Sequence, residues 1–391
     1  MANNKYIIKE ITPWMMDELI VFSQIVNYDI IFLRKQREFF NEELKELEKK
    51  GVRIYVKPYA TGNLFKKLST VFSFLIHNLS KFSTDYNGVI GFKSILWFLK
   101  LDLSLFGPNS NMHAQFATQP TIISLLIKQY YKGAPTYSFT FHAYDIYFNN
   151  KWFSLLTKHC HRAYSISSFN IDYVTKKYGK SEQLELARLG VFRDQIHRTE
   201  RPANDKSKIF NLGLMTWFDK KKGIIFLLKA MLELKKEGYE NIRLILAGDG
   251  SLKNEFLEFI DQNKLEESVT YIGKIKREEK QNFFNSLDAF ILPSIALKND
   301  QDGIPVVLME AIAYSLPIIS TDVSGIPEIC IDQFNGHLVP EREVEALVNS
   351  IIYFYDHKEK LGEYARNSFV LSNEYDITLN SKKKMESLGW K

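Results

Sequence analysis

The sequence is poor in cysteine, has no long apolar run and carries little excess charge. Only Cys160 and Cys330 are present among 391 residues, and they form no Cys-x-x-Cys or Cys/His metal spacing. We expect two buried free thiols in a reducing cytosol, which argues against a disulfide-stapled fold and a structural zinc site. The charge balance is 51 − 46 = +5. Nucleic-acid-binding proteins usually concentrate more positive charge than this, so no nucleic-acid partner is expected.

Long hydrophobic runs are also lacking. Met1 to Glu10 has no apolar core of a signal peptide, and later apolar runs are broken by charge before the roughly 20 residues that a membrane-spanning helix needs. We therefore expect a cytoplasmic protein, with at most a peripheral contact to the inner face of the cell membrane. Phe65–Phe106 is apolar and aromatic with scattered lysines, and we predict it to be helical. It either meets a lipid-linked acceptor or membrane, or packs on the N-terminal sheet.

What the sequence does have is an alternation of short apolar runs and longer amphipathic ones, which is typical of βαβ units and parallel sheets. Thr136–Phe141 and Ala289–Leu292 are predicted strands, and Ile224–Lys236 is a predicted helix. The polar stretch Asp194–Lys208 separates two such blocks. We predict three parts, which are an N-terminal Rossmann-like domain over 1–200, a C-terminal one over 201–370 and a helical tail over 371–391.

The strongest local motif runs from Asp302 to Glu310. Asp302 opens a glycine-containing turn, a helix follows, and Glu310 lies about two turns into that helix. The first amides of a helix attract phosphate or hydroxyl oxygens. A carboxylate at the position of Glu310 could accept two hydrogen bonds from a vicinal diol such as ribose. A capped helix with a surface acid explains the same residues about as well.

Two further features of the second half could belong to the same ligand site. Gly248 and Gly250 flank an aspartate between a predicted strand and a helix, where glycine lets the backbone turn tightly. Lys220, Lys221 and Lys222 precede Gly223 at a predicted helix start. They are either a clamp for phosphate or a solvated charge run.

The first half offers histidines as candidate site residues. His142 and Asp145 follow a predicted strand, where open α/β sheets bind their ligands. His113 either faces the ligand or is a strand-end residue that holds a loop. A single histidine in either place more often has a structural role.

Taken together, these motifs resemble those of glycosyltransferase family 4. Asp302 to Glu328 and the following Asn335-Gly336 are similar in type and spacing to its acidic signature and its Gly-Pro-Glu loop. The order of motifs around His142 resembles the subset that builds exopolysaccharide and colanic-acid-type repeat units. The resemblance is good over roughly 110–340 and poor over 1–110, where Thr12-Pro13-Trp14 replaces a glycine-rich turn. It implies a GT-B fold, an α/β fold of two Rossmann-like domains facing each other across a cleft, with the C-terminal helix returning to the N-terminal domain.

The resemblance also implies an activity. The chain would be a retaining transferase that moves a sugar from a UDP- or GDP-linked donor to a hydroxyl of a glycan or lipid-linked acceptor, in surface polysaccharide synthesis and without metal or cofactor. No Asp-x-Asp motif stands where a nucleotide-binding strand is predicted to end, so protein cations would stabilise the leaving diphosphate. The alternative is a catalytically silent partner subunit that binds nucleotide or glycan. A dehydrogenase is set aside, because no Gly-x-Gly-x-x-Gly follows a predicted strand.

The resemblance assigns roles to individual residues. Glu310 would bind the ribose, and Asp302, where the family usually has glutamate, would meet the donor sugar. Lys222 would hold the diphosphate, while the family's second cation, an arginine, has no match and Lys220 or Lys221 would replace it. His142 would act beside the donor sugar and phosphate. The remaining donor-binding residues would be Asp145, Gly248, Gly250, Gly273, Gly303, Ile304 and Pro305.

Overall fold

A computed structural model describes residues 3–34, 40–60, 62–82, 84–198, 209–298 and 300–390. The chain forms two compact units, one of Met1–Leu189 with Ile377–Lys391 and the other of Gly190–Asp376. The sequence predicts these boundaries at 200/201 and 370/371, whereas the structure has them at 189/190 and 376/377. Residues 199–208, most of the predicted linker, lie outside the described residues.

The first unit is built on a parallel sheet in the strand order β3-β2-β1-β4-β5-β6-β7. Tyr6, in the strand Asn4–Ile8, pairs with Ile30 on one side and His113 on the other. The strands Asn4–Ile8 and Tyr28–Phe32 are buried along their whole length, as is typical of parallel strands with helices on both faces of the sheet. The strands are β1 Asn4–Ile8, β2 Tyr28–Phe32, β3 Arg53–Val56, β4 Asn111–Gln115, β5 Thr136–Phe141, β6 Ala163–Ser165 and β7 Leu184–Leu186.

The helices of the first unit connect these strands. The first helix begins at Pro13, with Thr12 as its N-cap residue, and proline suits this position because the first helical amide needs no intrahelical partner. The apolar segment Phe65–Phe106 forms two helices where the sequence predicts helical structure. The helices are α1 Pro13–Ser23, α2 Asn41–Lys49, α3 Leu64–Asn78, α4 Tyr86–Lys100, α5 Gln119–Tyr130, α6 Ala143–Tyr147, α7 Phe153–His159 and α8 Ser168–Tyr178.

The second unit repeats this design with a parallel sheet in the order β10-β9-β8-β11-β12-β13. The strands are β8 Phe210–Trp217, β9 Ile242–Asp249, β10 Val269–Gly273, β11 Ala289–Leu292, β12 Ile318–Thr321 and β13 Gly336–Val339. The helices are α9 Ile224–Lys236, α10 Lys253–Gln262, α11 Lys280–Asn285, α12 Val306–Ala313, α13 Val344–Asp356 and α14 Lys358–Leu371. Two parallel α/β sheets thus confirm the predicted Rossmann-like class for both halves.

The C-terminal segment returns to the first unit as helix α15, Ile377–Leu388. The ring of Trp390 lies 5.6–6.5 Å from those of Tyr6, Phe22 and Tyr28, measured between centroids, and so completes an aromatic layer over β1 and β2. Among the described residues, no helix has the length and apolar character to cross a bilayer.

Candidate functional site

Each sheet has a topological switch point, where the chain leaves neighbouring strands in opposite directions. In the second unit this point lies between β8 and β11, because β8 leads to β9 and β10 on one side and β11 leads to β12 and β13 on the other. In open α/β sheets the loops at the carboxyl ends of such strands diverge and leave a crevice for a ligand. The loops after β8 and β11 carry the predicted Lys222 and Asp302.

The structure brings Lys222 and Asp302 together as an ion pair, in which Asp302 is buried and Lys222 is half-buried. The Nζ atom of Lys222 lies 2.8 Å from both carboxylate oxygens of Asp302. The hydroxyl of Ser294 donates a further hydrogen bond of 2.8 Å to this carboxylate. Burial alone would raise the pKa of Asp302, but the charges of Lys222 and Lys221 and these hydrogen bonds outweigh it and hold the pKa below its usual value.

Lys221 engages a second carboxylate of the same loop. Its Nζ atom is 3.0 Å from Asp300 and 4.0 Å from Asp302. Burial lowers the pKa of Lys221, yet the two aspartates raise it above its usual value. Asp300 and Asp302 form an Asp-x-Asp spacing that the sequence reasoning passed over because it stands well beyond the end of β11. In the structure each of the two carboxylates is neutralised by a lysine.

The lysine turn is fixed against the β11 loop by a close backbone approach at Gly223. This residue has a φ of +63°, and a Cβ atom there would lie 1.9 Å from the carbonyl oxygen of Pro293. The amide of Ile295 also donates to the carbonyl of Lys221 at 2.8 Å. Glycine is therefore needed for the turn that points both lysines at the aspartates.

Gly248 and Gly250, predicted to lie beside a nucleotide, allow two backbone segments to approach each other closely. Their φ angles are +142° and +155°, and a Cβ atom would meet the carbonyl oxygens of Thr216 and Phe218 at 1.9 and 2.4 Å. The end of β9 is thus pressed onto the end of β8. Gly273, by contrast, ends β10 with a φ of +79° and open space around the position of a Cβ atom.

Glu310 lies on α12, the helix that begins after the Asp302 loop. Pro305 is its N-cap, and the buried side chains of Ile304, Leu308 and Ile312 anchor it to the core. The Glu310 side chain is 16% exposed, and its Oε1 atom accepts a hydrogen bond of 2.5 Å from Nζ of Lys280. The sequence reasoning missed Lys280, which lies 30 residues away at the start of α11. Gly303 precedes Ile304 in the same turn and is half-buried.

The first unit has its own switch point, between β1 and β4. The first turn of α1, which follows β1, supplies Trp14, and the loop after β4 supplies Phe116. Their rings lie 4.7 and 4.9 Å from the ring of His142, which directly follows β5. His142 is buried, and this desolvation, with a contribution from the charge of Lys384, lowers its pKa to about 3. The imidazole is therefore neutral at physiological pH.

A chain of buried polar groups leads from His142 to the C-terminal helix. His142 Nε2 is 3.2 Å from Gln115 Oε1, and Gln115 Nε2 donates to Glu18 at 3.1 Å. Lys384 of α15 donates to the other oxygen of Glu18 at 2.6 Å. Tyr6 also donates to Glu18, at 2.5 Å. Burial lowers the pKa of Lys384, although Glu18 acts against this.

Asp145 and His113 form hydrogen bonds with neighbouring groups of the first unit. Asp145 is buried and accepts a hydrogen bond of 2.9 Å from the amide of His142, which caps the short helix α6. Burial raises the pKa of Asp145 to about 7, against the opposing effect of its backbone hydrogen bonds. His113 lies in β4 and not at a strand end, with Nε2 3.1 Å from Thr140 Oγ1. The structure gives both residues a local structural contact.

The second unit is similar in sequence to a known family. Residues 193–368 match the family model described as glycosyl transferases group 1. The predicted resemblance to this class of protein is thus confirmed for that part of the chain.

Individual relatives narrow the comparison. WcaL of Escherichia coli K12, a glycosyltransferase named for colanic acid biosynthesis, is 32% identical over 174 residues, which are 44% of this chain and 42% of WcaL. The amylovoran biosynthesis glycosyltransferase AmsK of Erwinia amylovora is 32% identical over 169 residues, 43% of this chain and 40% of AmsK. The match therefore spans less than half of the length of these relatives.

Solved structures match over the whole chain and show the fold. Anabaena HepE in complex with UDP and glucose has a TM-score of 0.70 at 14% identity, covering 100% of both chains. TarM has a TM-score of 0.70 at 13% identity, covering 98% of both chains. The predicted GT-B class is confirmed by these neighbours.

Proposed function

We propose that this protein is a glycosyltransferase that moves a sugar from a nucleoside-diphosphate sugar to a hydroxyl of a glycan or lipid-linked acceptor, in the synthesis of a surface polysaccharide. The observation that carries the proposal is the Lys222–Asp302 pair at the switch point of the second unit, in a segment that matches a glycosyltransferase family model. The names of WcaL and AmsK support polysaccharide synthesis, and HepE, solved with UDP and glucose, supports a nucleotide-sugar donor.

In the proposed mechanism the ion pairs of the second unit open for the donor. The diphosphate takes the ammonium of Lys222, while sugar hydroxyls donate to the carboxylate of Asp302. Glu310 accepts hydrogen bonds from the ribose, and Lys280 holds that carboxylate in place. Gly273 and the turn from Gly303 to Pro305 offer backbone groups to base, sugar and phosphate.

The chemical step we propose retains the configuration of the sugar. The bond between the anomeric carbon and the diphosphate oxygen breaks, and Lys222 stabilises the negative charge that grows on that oxygen. The acceptor oxygen bonds to the same face of the anomeric carbon, and its proton passes to the leaving phosphate. Because Lys221 and Lys222 already neutralise Asp300 and Asp302, we propose that these lysines take the role that a divalent metal has elsewhere and that no cofactor is needed.

We propose that the first unit binds the acceptor and that His142 of this unit takes part in binding a sugar. Neutral His142, placed at the switch point between Trp14 and Phe116, can donate or accept a hydrogen bond to a sugar hydroxyl. The predicted donor contact of Asp145 would be indirect, through the His142 amide that it binds. We also propose that the protein acts in the cytoplasm.

Binding of UDP, GDP and ADP, measured by calorimetry, tests the site. We expect one of these three nucleotides to bind in preference to the others. Glu310→Ala should weaken the affinity for that nucleotide about 10- to 100-fold, because charge-assisted hydrogen bonds to the ribose are lost. Lys236→Ala is the matched control, because Lys236 is an exposed lysine of α9 paired with Glu233. Equal affinity of Glu310→Ala and wild type would contradict the ribose assignment.

Transfer is tested separately, with the sugar forms of the nucleotide that binds and with EDTA present. Turnover in EDTA supports the metal-free mechanism. Nucleotide binding without hydrolysis or transfer would instead identify a silent partner subunit.

A further inference from the structure

Helices α3 and α4 of the first unit each expose an apolar stripe. The exposed apolar side chains of α3 recur every three or four residues and so lie on one face, and Leu79 in the turn after the helix continues the spacing. They are Phe65, Leu68, Phe72 and Ile76. Phe65 is 84% exposed and Phe72 67% exposed. Soluble proteins rarely leave so continuous an apolar face in water, and such faces mark interaction sites.

The opposite face of α3 is already used for packing. Val71 and Phe74 are buried in the same core as Ile90 and Phe98 of α4. The exposed stripe of α4, formed by Val89, Phe92 and Leu96, likewise lies away from this core. The core therefore does not need either exposed stripe.

The helix pair is rigidly held. Lys67 of α3 buries its ammonium, which donates to the carbonyls of Leu99 and Leu101 at 3.0 and 2.8 Å. The ring of Phe74 stacks on that of Trp152 with centroids 5.8 Å apart. The apolar stripes are thus presented by an ordered scaffold, so that docking would not require the helices to fold.

The charge around these stripes has one sign. Between Glu48 and Asp102 the sequence contains a single acidic residue, Asp85, and its carboxylate caps α4 and pairs with Lys151 at 3.0 Å. Lys93 and Lys100 of α4 are exposed beside the apolar side chains. A partner that fits must offer both an apolar interior and negative charge.

We propose that the α3–α4 face docks the protein on the surface of a bilayer that contains anionic phospholipids. The aromatic and aliphatic side chains would enter the boundary of the acyl chains, and the lysines would meet the phosphates. A second copy of this chain fits less well, because a symmetric contact would bring the lysines of the two copies together. The inference goes beyond the proposed transfer chemistry and does not depend on it.

Co-sedimentation of the full chain with vesicles tests this inference. The vesicles consist of phosphatidylcholine with about 30% phosphatidylglycerol as the anionic lipid. We expect the protein to bind them, and we expect this binding to weaken as the NaCl concentration rises, because salt screens the charges of the lysines. Pure phosphatidylcholine should bind far less. Lys93→Gln/Lys100→Gln should weaken binding about fivefold for each lysine removed.

The apolar contribution is tested with Phe72→Ser/Phe92→Ser, which should weaken vesicle binding by at least about tenfold. The matched control is Phe369→Ser/Val370→Ser, which removes two exposed apolar side chains of α14 in the second unit. An unchanged melting temperature checks that the variants fold. The inference would be overturned if the wild type did not bind vesicles, or if Phe72→Ser/Phe92→Ser bound them as well as the wild type does. It would also be overturned if ultracentrifugation showed a wild-type dimer that is lost only in this variant. Vesicle binding needs no nucleotide, so its failure is distinguishable from failure of the transferase proposal.

Discussion

At the scale of single residues, the candidate site of the second unit is a set of opposite charges held in contact. Asp302 is buried and depends on Lys222, Lys221 and Ser294 to remain ionised. Removing one partner of a buried pair leaves a charge without compensation, which costs more than removing both. The pair is therefore coupled in stability as well as in its proposed chemistry.

We predict that Lys222→Met lowers the free energy of unfolding by about 3 kcal/mol at pH 7, whereas Lys222→Met/Asp302→Asn loses less. Because the pKa of Asp302 is depressed in the folded protein, its stabilising contribution is present above the unfolded value of about 4 and is lost as pH falls through the folded value. In Lys222→Met, Asp302 should become protonated at a higher pH than in the wild type. The loss in free energy of unfolding relative to the wild type should therefore become smaller as the pH falls from 7 to 4. Urea denaturation of both variants across this range measures the effect. Equal losses in the single and double variants would show that the two side chains are not coupled.

At the scale of elements, the glycines at the strand ends differ in the space around them. Gly248 is required by close packing of the backbone, whereas Gly273 is not. A Cβ atom at Gly248 would lie 1.9 Å from a backbone oxygen, which the strand ends cannot accommodate without moving apart. At Gly273 a Cβ atom meets open space, and the cost is mainly that of a positive φ, about 1–2 kcal/mol.

We predict that Gly248→Ala lowers the melting temperature far more than Gly273→Ala, and that only Gly273→Ala folds well enough to assay nucleotide binding. Thermal unfolding of both variants, with and without the nucleotide that wild type binds, provides the measurement. Similar melting temperatures would mean that the β8 and β9 ends are not packed as described. A Gly273→Ala protein that melts normally but binds nucleotide poorly would support the predicted approach of the base.

Much of the fold could be predicted because its elements have local signals. Strands Thr136–Phe141 and Ala289–Leu292 and helix Ile224–Lys236 have the bounds that the sequence predicts. Helix Gln119–Tyr130 was not predicted, since it is buried nearly all round and so lacks an amphipathic period. Helix Val344–Asp356 had a usable signal, with buried Leu347, Val348, Ile351 and Phe354 at helical spacing, and was missed.

The contacts of the candidate site could not be predicted in the same way. Lys280 meets Glu310 across 30 residues, and Lys384 meets Glu18 across 366. Such pairs depend on which strand ends and helices the topology brings together, and no local pattern records that. The family resemblance indicated Glu310 as a candidate site residue, but it did not indicate Lys280, the side chain that pairs with it.

At the scale of the whole molecule, the same α/β plan carries two different chemical environments. The switch point of the second unit is lined by ion pairs, which suits a charged diphosphate. That of the first unit is aromatic around a neutral histidine, which suits the apolar faces and hydroxyls of a sugar. The C-terminal helix α15 takes part in the environment of the first unit through its buried Lys384. Residues from the end of the chain therefore help to order the surroundings of His142.

This connection predicts that Lys384 positions His142 through Glu18 and Gln115. Lys384→Met should leave the Glu18 carboxylate buried without its cation, destabilising the first unit by about 3–5 kcal/mol and loosening the Gln115 contact with His142. Lys384→Met/Glu18→Gln should recover most of the stability, because no buried charge remains. Lys383→Met is the matched control, since Lys383 is the exposed neighbour on the same helix. Hydrogen exchange of Gln115 to His142, together with urea denaturation, distinguishes the outcomes. If Lys384→Met behaved like Lys383→Met, the polar chain would not connect the C-terminal helix to His142.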